Sequence, residues 1–172
     1  TAPCAEVGLT PGETCQFGYV NLGAFFRPGG RVPVDLAALG ETVRVLVRAL
    51  DDALEASLPL YPHPRSAQVM TAKRKVGVGI CGLADLLLKA RLPYDSPQGR
   101  ELASDVTGYV NYASKLASAG LAATRGPCPG VAGGRSRYAD PAYLGRFAGL
   151  GTRTVTGSEW RSLAQTVAPV SY

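Results

Sequence analysis

A strand–turn–helix unit at Lys73–Lys89 constrains the fold more than any other stretch of the chain. Its sequence is KRKVGVGICGLADLLLK. β-Branched residues alternate with Gly77 and Gly79, which favours a short strand that another group approaches closely, because glycine presents no side chain there. Gly82 then marks a turn, and leucines at helical spacing predict a helix after it. The unit indicates an α/β architecture without indicating a particular chemistry.

The rest of the chain also alternates between strand and helix patterns. The predicted elements are a strand at Cys15–Phe26, a helix at about Asp35–Ser57, a proline-rich connector at Tyr61–Arg65, a helix from Ser96–Pro97 to about Arg125, an irregular region at 127–158 and a strand at Leu163–Tyr172. This alternation favours a mainly parallel sheet, and three strands are too few for a closed barrel. We expect one α/β domain over residues 1–172, with a partial parallel sheet of few strands and several packed helices.

Composition and charge narrow the functional classes. The chain has 172 residues, of which 46% are hydrophobic and 18% are charged, as in an ordinary globular domain. The net charge of +5 comes from basic residues that are mostly dispersed, so nucleic acid is not an expected partner. No apolar run reaches the roughly 18–20 residues that a bilayer requires, and residues 1–13 lack a secretory signal pattern. We therefore expect a cytoplasmic protein without a membrane role.

The cysteine and histidine positions argue against a metal site. Cys4, Cys15, Cys81 and Cys128 are widely spaced and form no C-x-x-C pair, and the only histidine, His63, lies between two prolines. Structural zinc sites normally show paired ligands, so no metal is expected. Cys81 and Cys128 are predicted to be small buried hydrophobic residues.

Near the N-terminus, Cys4 and Glu6 are the pair of residues whose side chains are able to take part in catalysis. Residues two apart on an extended segment point the same way, so the thiol and the carboxylate can act on one substrate. A thiol supplies a nucleophile or a hydrogen atom, and a carboxylate supplies general base catalysis. On its own, such a pair more often belongs to an exposed loop with an incidental cysteine.

Several motifs occur with this pair, in order and with consistent spacing. They are APCAE at 2–6, CQFGYVNL at 15–22, ALDD at 49–52, KRKVGVGICGLADLL at 73–87, PYDS at 93–96, GPCP at 126–129 and TVAP at 166–169. Together they resemble the large, catalytic subunit of ribonucleotide reductase, especially its adenosylcobalamin-dependent class. The resemblance covers most of the chain and corresponds to the central and C-terminal part of the family's catalytic barrel.

The resemblance implies roles for individual residues. In the family, the loop cysteine becomes a thiyl radical that abstracts a ribose hydrogen, and the loop glutamate acts on the sugar hydroxyls. The strand cysteine is half of a redox pair that supplies electrons. By match, these roles fall on Cys4, Glu6 and Cys15. The substrate-binding turn near the end of the motif series corresponds to Ala168, Pro169 and Ser171.

The chain also departs from the family pattern. Ala2 stands where the family has an asparagine, and its methyl group cannot hydrogen-bond a substrate. Val170–Tyr172 replaces the expected phosphate-binding turn. The upstream half of the barrel with its second redox cysteine, the C-terminal cysteine pair and a cobalamin-binding portion are not found. No cofactor is therefore expected in this chain, and adenosylcobalamin is expected only if a partner supplies its site.

Three functions remain open from the sequence. The favoured one is a stand-alone relative that has lost ribonucleotide reduction and performs non-radical acid–base or nucleophilic chemistry on a small molecule around Cys4 and Glu6, in biosynthesis. The second is a fragment of a split reductase that needs a partner chain, and the third is a non-catalytic binding or scaffold protein. Unpaired strand edges invite aggregation. We therefore expect a homo-oligomer, a partner chain or residues 127–158 to cover them.

Overall fold

The computed structural model describes residues 7–132, 137, 140, 142–143, 146 and 152–167. Within these residues the elements in chain order are β1 (Gln16–Asn21), α1 (Leu36–Ser57), α2 (Pro64–Lys73), β2 (Val76–Cys81), α3 (Leu83–Lys89), α4 (Pro97–Arg125) and α5 (Gly157–Val167). β1 and β2 pair in parallel. The predicted α/β class with few strands and several helices is confirmed for this part of the chain.

The two faces of the sheet have different surroundings. The register pairs Gly18 with Val78 and continues to Asn21 opposite Cys81. Gly18 lies against Leu46 of α1, so this side of the sheet, which we call the helix face, is covered by helices. The opposite side, which we call the open face, carries Phe17, Tyr19, Gly77, Gly79 and Cys81. Phe17 and Tyr19 are 49% and 60% exposed there, so the described elements leave this face uncovered.

Helices α1 and α4 form the core against the helix face. Their buried residues recur at three- and four-residue steps, as the sequence predicts: Leu39, Val43, Val47 and Leu54 from α1, and Leu102, Val106 and Val110 from α4. Asp35 caps α1 by accepting the Ala38 N–H at 3.0 Å, and Ser96 caps α4 by accepting the Gly99 N–H at 3.0 Å. Both predicted helices are confirmed.

The first strand is shorter than predicted. β1 ends at Asn21, and residues Leu22–Phe25 form a 3-10 turn instead of continuing the strand to Phe26. The Asn21 side chain accepts a hydrogen bond from the Gly23 N–H at 3.2 Å, and this local bond favours a turn over further strand pairing.

Helix α2 begins inside the stretch that the sequence indicates as a connector. The His63 Nδ1 atom accepts the Arg65 N–H at 3.1 Å, and Pro64 occupies the first helical position. Proline is favoured there because its missing N–H would have no partner in the first turn. The connector prediction for Tyr61–Arg65 is therefore wrong beyond His63.

The final predicted strand, Leu163–Tyr172, is wrong where the structure describes it. Residues up to Val167 belong to α5, which starts with a reciprocal cap between Thr156 and Glu159. Thr156 N donates to Glu159 Oε2 at 2.7 Å, and Glu159 N donates to Thr156 Oγ1 at 3.2 Å. Trp160 and Leu163 bury one face of α5 against α4. Residues 168–172 lie outside the described residues.

Residues 128–131 lie against the turn that precedes β2. Gly130 N donates to the Ala72 carbonyl at 2.6 Å, and Cys128 Sγ donates to the Lys73 carbonyl at 3.5 Å. Part of the region that the sequence leaves as irregular thus packs beside one end of β2. Covering of the strand edges by self-association stays a prediction. Within the described residues, no helix has the length and apolar character needed to cross a bilayer.

Candidate functional site

Aromatic rings lie directly over glycines on the open face. An added Cβ at Gly79 would come within 2.6 Å of Tyr19 Cδ1, and one at Gly77 within 3.0 Å of Phe17 Cβ. The two rings contact each other edge to face, with centroids 5.8 Å apart. The glycines are therefore required by the close approach of the neighbouring strand's side chains, as the glycine spacing in the sequence predicts.

Cys15 lies at the start of the open face. Its Sγ atom is 3.4 Å from the position of an added Cβ on Gly77, and the residue is half-buried. Cys81 lies at the opposite end of the same face, paired with Asn21. At about 3.3 Å per residue, some 20 Å of strand separates the two cysteines, too far for a disulfide. Cys15 and Cys81 therefore do not form a disulfide in this fold.

The structure tests both predictions of cysteine burial. Cys81 is exposed, so its prediction as a buried hydrophobic residue is wrong, because the described elements do not cover the open face. Cys128 is 2% exposed, which confirms its prediction.

The carboxyl ends of the two strands meet in a compact polar cluster. Gly82 adopts φ +69°, and a Cβ there would lie 2.0 Å from Asn21 Oδ1. Lys89 Nζ donates to the Gly23 carbonyl at 2.8 Å and pairs with Asp85 Oδ2 at 3.0 Å. These groups satisfy one another, so the cluster fixes the strand–turn–helix geometry.

The amino ends of the strands are joined by a buried carboxylate. Glu13 lies between Lys75, at 3.0 Å, and Lys73, at 3.5 Å, and its side chain has no exposed surface. Burial alone would raise the pKa of Glu13, but the Thr10 N–H, at 2.7 Å, and the Lys75 ammonium outweigh it and hold the pKa below its usual value. Lys75 Nζ also donates to the Gly8 carbonyl at 2.7 Å. The described N-terminal segment is thus held beside the start of β2.

Five of the six site residues predicted from the sequence lie outside the described residues. They are Cys4, Glu6, Ala168, Pro169 and Ser171. Their roles remain predictions, and Cys15 is the one predicted site residue that the structure places.

The structure contains a buried charge network that the sequence does not predict. Asp51 is 3% exposed and accepts from Arg74 Nε at 2.9 Å and also pairs with Arg125. Arg74 pairs further with Glu55 at 2.5 Å, and Arg125 with Asp52 at 2.5 Å. The only sequence signal is the acidic pair within the ALDD motif, and it does not identify partners 23 and 74 residues away.

The described residues bring no cluster of metal-binding side chains together. They contain no group of three or more histidine, cysteine, aspartate or glutamate side chains able to hold a metal ion. A cavity of about 680 Å³ lies between β2 and α4, but on the helix face, away from Cys15. That volume is within the range of ordinary small-ligand sites.

Comparison with known proteins identifies the family. The family described as "Ribonucleotide reductase, barrel domain" matches residues 1–169. A parallel sheet covered by helices on one face, with a cysteine at the start of its first strand, is consistent with part of such a barrel. The chain belongs to the ribonucleotide reductase barrel-domain family, and its resemblance to the adenosylcobalamin-dependent large subunit is confirmed.

Individual relatives agree with this assignment. The chain is 38% identical over 141 residues to a vitamin B12-dependent ribonucleoside-diphosphate reductase of Mycobacterium tuberculosis, covering 82% of this chain and 20% of that protein. It is 36% identical over 129 residues to the protein of the same name in Thermoplasma acidophilum, covering 75% and 16%. A ribonucleoside-diphosphate reductase subunit alpha of Chlamydia muridarum is 32% identical over 127 residues, covering 72% and 12%. The chain thus spans a fifth or less of the length of these relatives.

Proposed function

We propose that this chain forms part of the catalytic barrel of an adenosylcobalamin-dependent ribonucleotide reductase, and that it acts when further strands complete the barrel. The chain supplies two neighbouring strands and their covering helices. The remaining strands come from a partner chain or from other parts of a longer protein. The observation that carries this proposal is the open face, where Phe17 and Tyr19 are 49% and 60% exposed beside Cys15.

Physical reasoning supports a partner surface on the open face. Burying the exposed aromatic rings of the sheet would stabilise the protein by about 25 cal/mol per Å² of apolar surface removed from water. A two-stranded sheet is also marginal by itself and needs further strands or packing for stability. Barrel closure would satisfy both needs at once, because it covers the open face and pairs the strand edges.

The proposal assigns three residues to the reaction by resemblance. Cys4 would form the radical that removes a hydrogen atom from the ribose, and Glu6 would accept a proton from a sugar hydroxyl. Cys15 would be one of the two thiols that supply electrons. Its position at the edge of the open face is compatible with a second cysteine contributed by a completing strand.

The test starts from the tagged protein that carries this chain, purified from its own cells under gentle conditions. The eluate is assayed for deoxyribonucleotide formation with adenosylcobalamin and a dithiol reductant. We expect activity that Cys15→Ser abolishes. Cys128→Ser is the matched control, because Cys128 is buried beside the Lys73 carbonyl and not on the open face. Equal activity in the Cys15→Ser protein would contradict the proposed role.

A second function rests on a specific sequence difference. Ala2 replaces the asparagine that the family uses to hold the substrate, which supports non-radical acid–base or nucleophilic chemistry around Cys4 and Glu6 on another small molecule. In that case the purified protein acts without coenzyme, and Cys4→Ala and Glu6→Gln each remove its native activity. If both variants keep full activity, this second function is wrong.

A thiol-blocking experiment tests the third function, a non-catalytic scaffold. A protein with no catalytic use for its thiols would keep its native binding after treatment with a thiol-blocking reagent. If the reagent forms a mixed disulfide, and binding is lost on blocking and restored by a reductant, a scaffold role is contradicted. Such a result would support a functional role for Cys4 or Cys15.

A further inference from the structure

The cavity between β2 and α4, which we call the β2–α4 cavity, is separate from the open face. It has a volume of about 680 Å³, within the range of small-molecule sites. Its apolar wall consists of the helix-face side chains of β2 with one residue each from α1 and α4: Val76, Val78, Ile80, Val47 and Val110. Cys15 lies on the other side of the sheet. The cavity is thus distinct from the thiol site in the proposed function.

The α4 side of the cavity is polar where core packing would favour apolar residues. Asn111, Ser114, Lys115 and Ser118 lie at helical spacing and line the cavity together. Ser114 is 8% exposed, and the preceding turns of the same helix bury Val106 and Val110. Ser114 Oγ donates to the Asn111 carbonyl at 2.8 Å, and the stripe as a whole offers polar groups that a ligand in the cavity can contact.

Positive charge predominates among the described lining residues. Lys73, Lys75 and Lys115 contribute three amines, and Glu13 contributes one carboxylate. Arg74 also borders the cavity, but its guanidinium is engaged by Asp51 and Glu55. Lys73 and Lys75 both pair with Glu13, so the formal charge of the three lysines and this carboxylate together is +2. A dianion would neutralise this surplus of positive charge.

Lys115 contributes the amine on the α4 side of the cavity. Burial lowers its pKa, and the neighbouring Tyr143 only partly opposes this shift. An ammonium group in apolar surroundings is destabilised by desolvation, and a bound negative charge offsets that cost. Charge interactions are also stronger beside the valine wall than in bulk water.

We propose that the β2–α4 cavity binds a small organic phosphate, with the phosphate among Lys73, Lys75 and Lys115 and the organic part against the valine wall of β2. The surplus of two charges matches a phosphate monoester, and the cavity is too large and too apolar for an inorganic ion alone. Nucleoside monophosphates and sugar or aryl phosphates share this chemistry.

The experiment measures binding of phenyl phosphate to the full chain by isothermal titration calorimetry. Inorganic phosphate and phenol, the two hydrolysis products of phenyl phosphate, are titrated in parallel. We expect saturable binding of phenyl phosphate at least about tenfold tighter than either product, a difference of about 1.4 kcal/mol. Adenosine monophosphate and glucose 6-phosphate then distinguish a nucleoside from a sugar as the organic part.

Three variants connect the binding to the cavity. Lys115→Gln removes a cavity amine and is expected to weaken phenyl phosphate about tenfold or more, because charged hydrogen bonds contribute strongly. Ser118→Trp fills the space without changing charge and should abolish binding. Lys89→Gln, on α3 and outside the cavity, is the matched control and should bind as the parent does.

The proposal is overturned by any of three results. They are no saturable binding of phenyl phosphate up to about 10 mM, equal affinity for inorganic phosphate, and the same weakening in Lys89→Gln as in Lys115→Gln. Ser118→Trp can fail to fold. If that variant has lost its cooperative unfolding transition, the proposal is judged on the binding of phenyl phosphate to Lys115→Gln alone.

Discussion

The guanidinium of Arg74 contacts the buried carboxylate of Asp51 from a backbone in the left-handed conformation, with Arg74 Nη2 2.7 Å from Asp51 Oδ1 and φ at +45°. That conformation ends α2 and redirects the chain into β2. Because Arg125 of α4 also pairs with Asp51 of α1, one carboxylate joins α1, the α2–β2 turn and α4. The network fixes the position of β2 relative to both covering helices.

Replacing Arg74 should therefore destabilise the fold strongly. Arg74→Ala removes one of two cationic partners of a carboxylate that is 3% exposed, and breaking a buried pair typically costs about 3–5 kcal/mol. We expect about 2–4 kcal/mol, because Arg125 remains beside Asp51. Urea unfolding followed by circular dichroism measures the change in free energy of unfolding.

Arg44→Ala is the matched control for this measurement. Arg44 pairs with Glu41 within one exposed helix face, where solvent screens the charges. Its replacement should leave the unfolding midpoint essentially unchanged. Similar losses in the Arg44 and Arg74 variants would show that the buried network has no special role in holding the helices together.

Two glycines should respond in opposite directions to alanine. Gly82→Ala places a Cβ 2.0 Å from Asn21 Oδ1 at φ +69°, so we expect a loss of about 2–4 kcal/mol from combined clash and strain. Gly120 lies inside α4 with nothing within 4 Å of an added Cβ. Gly120→Ala should stabilise by about 0.5–1 kcal/mol. Thermal unfolding of both variants tests the pair, and destabilisation by Gly120→Ala would contradict the described packing of α4.

The strand–turn–helix unit was predictable because its signals are local. Gly82 takes the left-handed conformation that the turn requires, and the leucines after it follow helical spacing. The strand prediction for residues 163–167, which lie in helix α5, is wrong for a related reason. Residues 163–167 form a short apolar run that suits either a strand or a helix, and the deciding signal is the Thr156–Glu159 cap seven residues upstream.

The candidate site depends on contacts that no local pattern reports. Exposure of Cys81 follows from which elements cover the open face, and a strand sequence alone does not identify the covered side when glycines alternate with apolar residues. The pairing of Asp51 with Arg125 likewise joins residues 74 positions apart. The motifs therefore identified the family, whereas the polar network and the β2–α4 cavity required three-dimensional placement.

The free energy of unfolding should decrease at acidic pH, partly because Glu13 becomes protonated. Its pKa in the folded protein lies below the ordinary value of 4.5, so its contribution is complete above pH 4.5 and is lost as the pH falls through the lowered folded value. Glu13→Gln should cost about 1–3 kcal/mol at pH 7. The difference in free energy of unfolding between Glu13→Gln and the parent protein should become smaller at lower pH. Urea unfolding at several pH values measures this, and Asp95→Asn, at an exposed carboxylate outside the Glu13 cluster, serves as control.

A difference between the two protein stability curves that stays constant from pH 7 to pH 3 would contradict the role of Glu13. In that case the carboxylate would titrate identically in the folded and unfolded protein, and the contacts with Thr10 and Lys75 would not stabilise its charged form.

Cysteine labelling reports directly on the open face. In the isolated chain, iodoacetamide should modify exposed Cys81 first, half-buried Cys15 more slowly and Cys128, which is 2% exposed, only after unfolding. Peptide mass spectrometry resolves these three sites from that of Cys4, the fourth cysteine of the chain, and Cys81→Ser confirms the assignment. If further strands complete the barrel, adding them should protect Cys81 and Cys15 together, because both lie on the face that closure covers. Protection of neither cysteine in an assembled complex would mean that the partner does not cover the open face, and the proposed barrel would then be wrong.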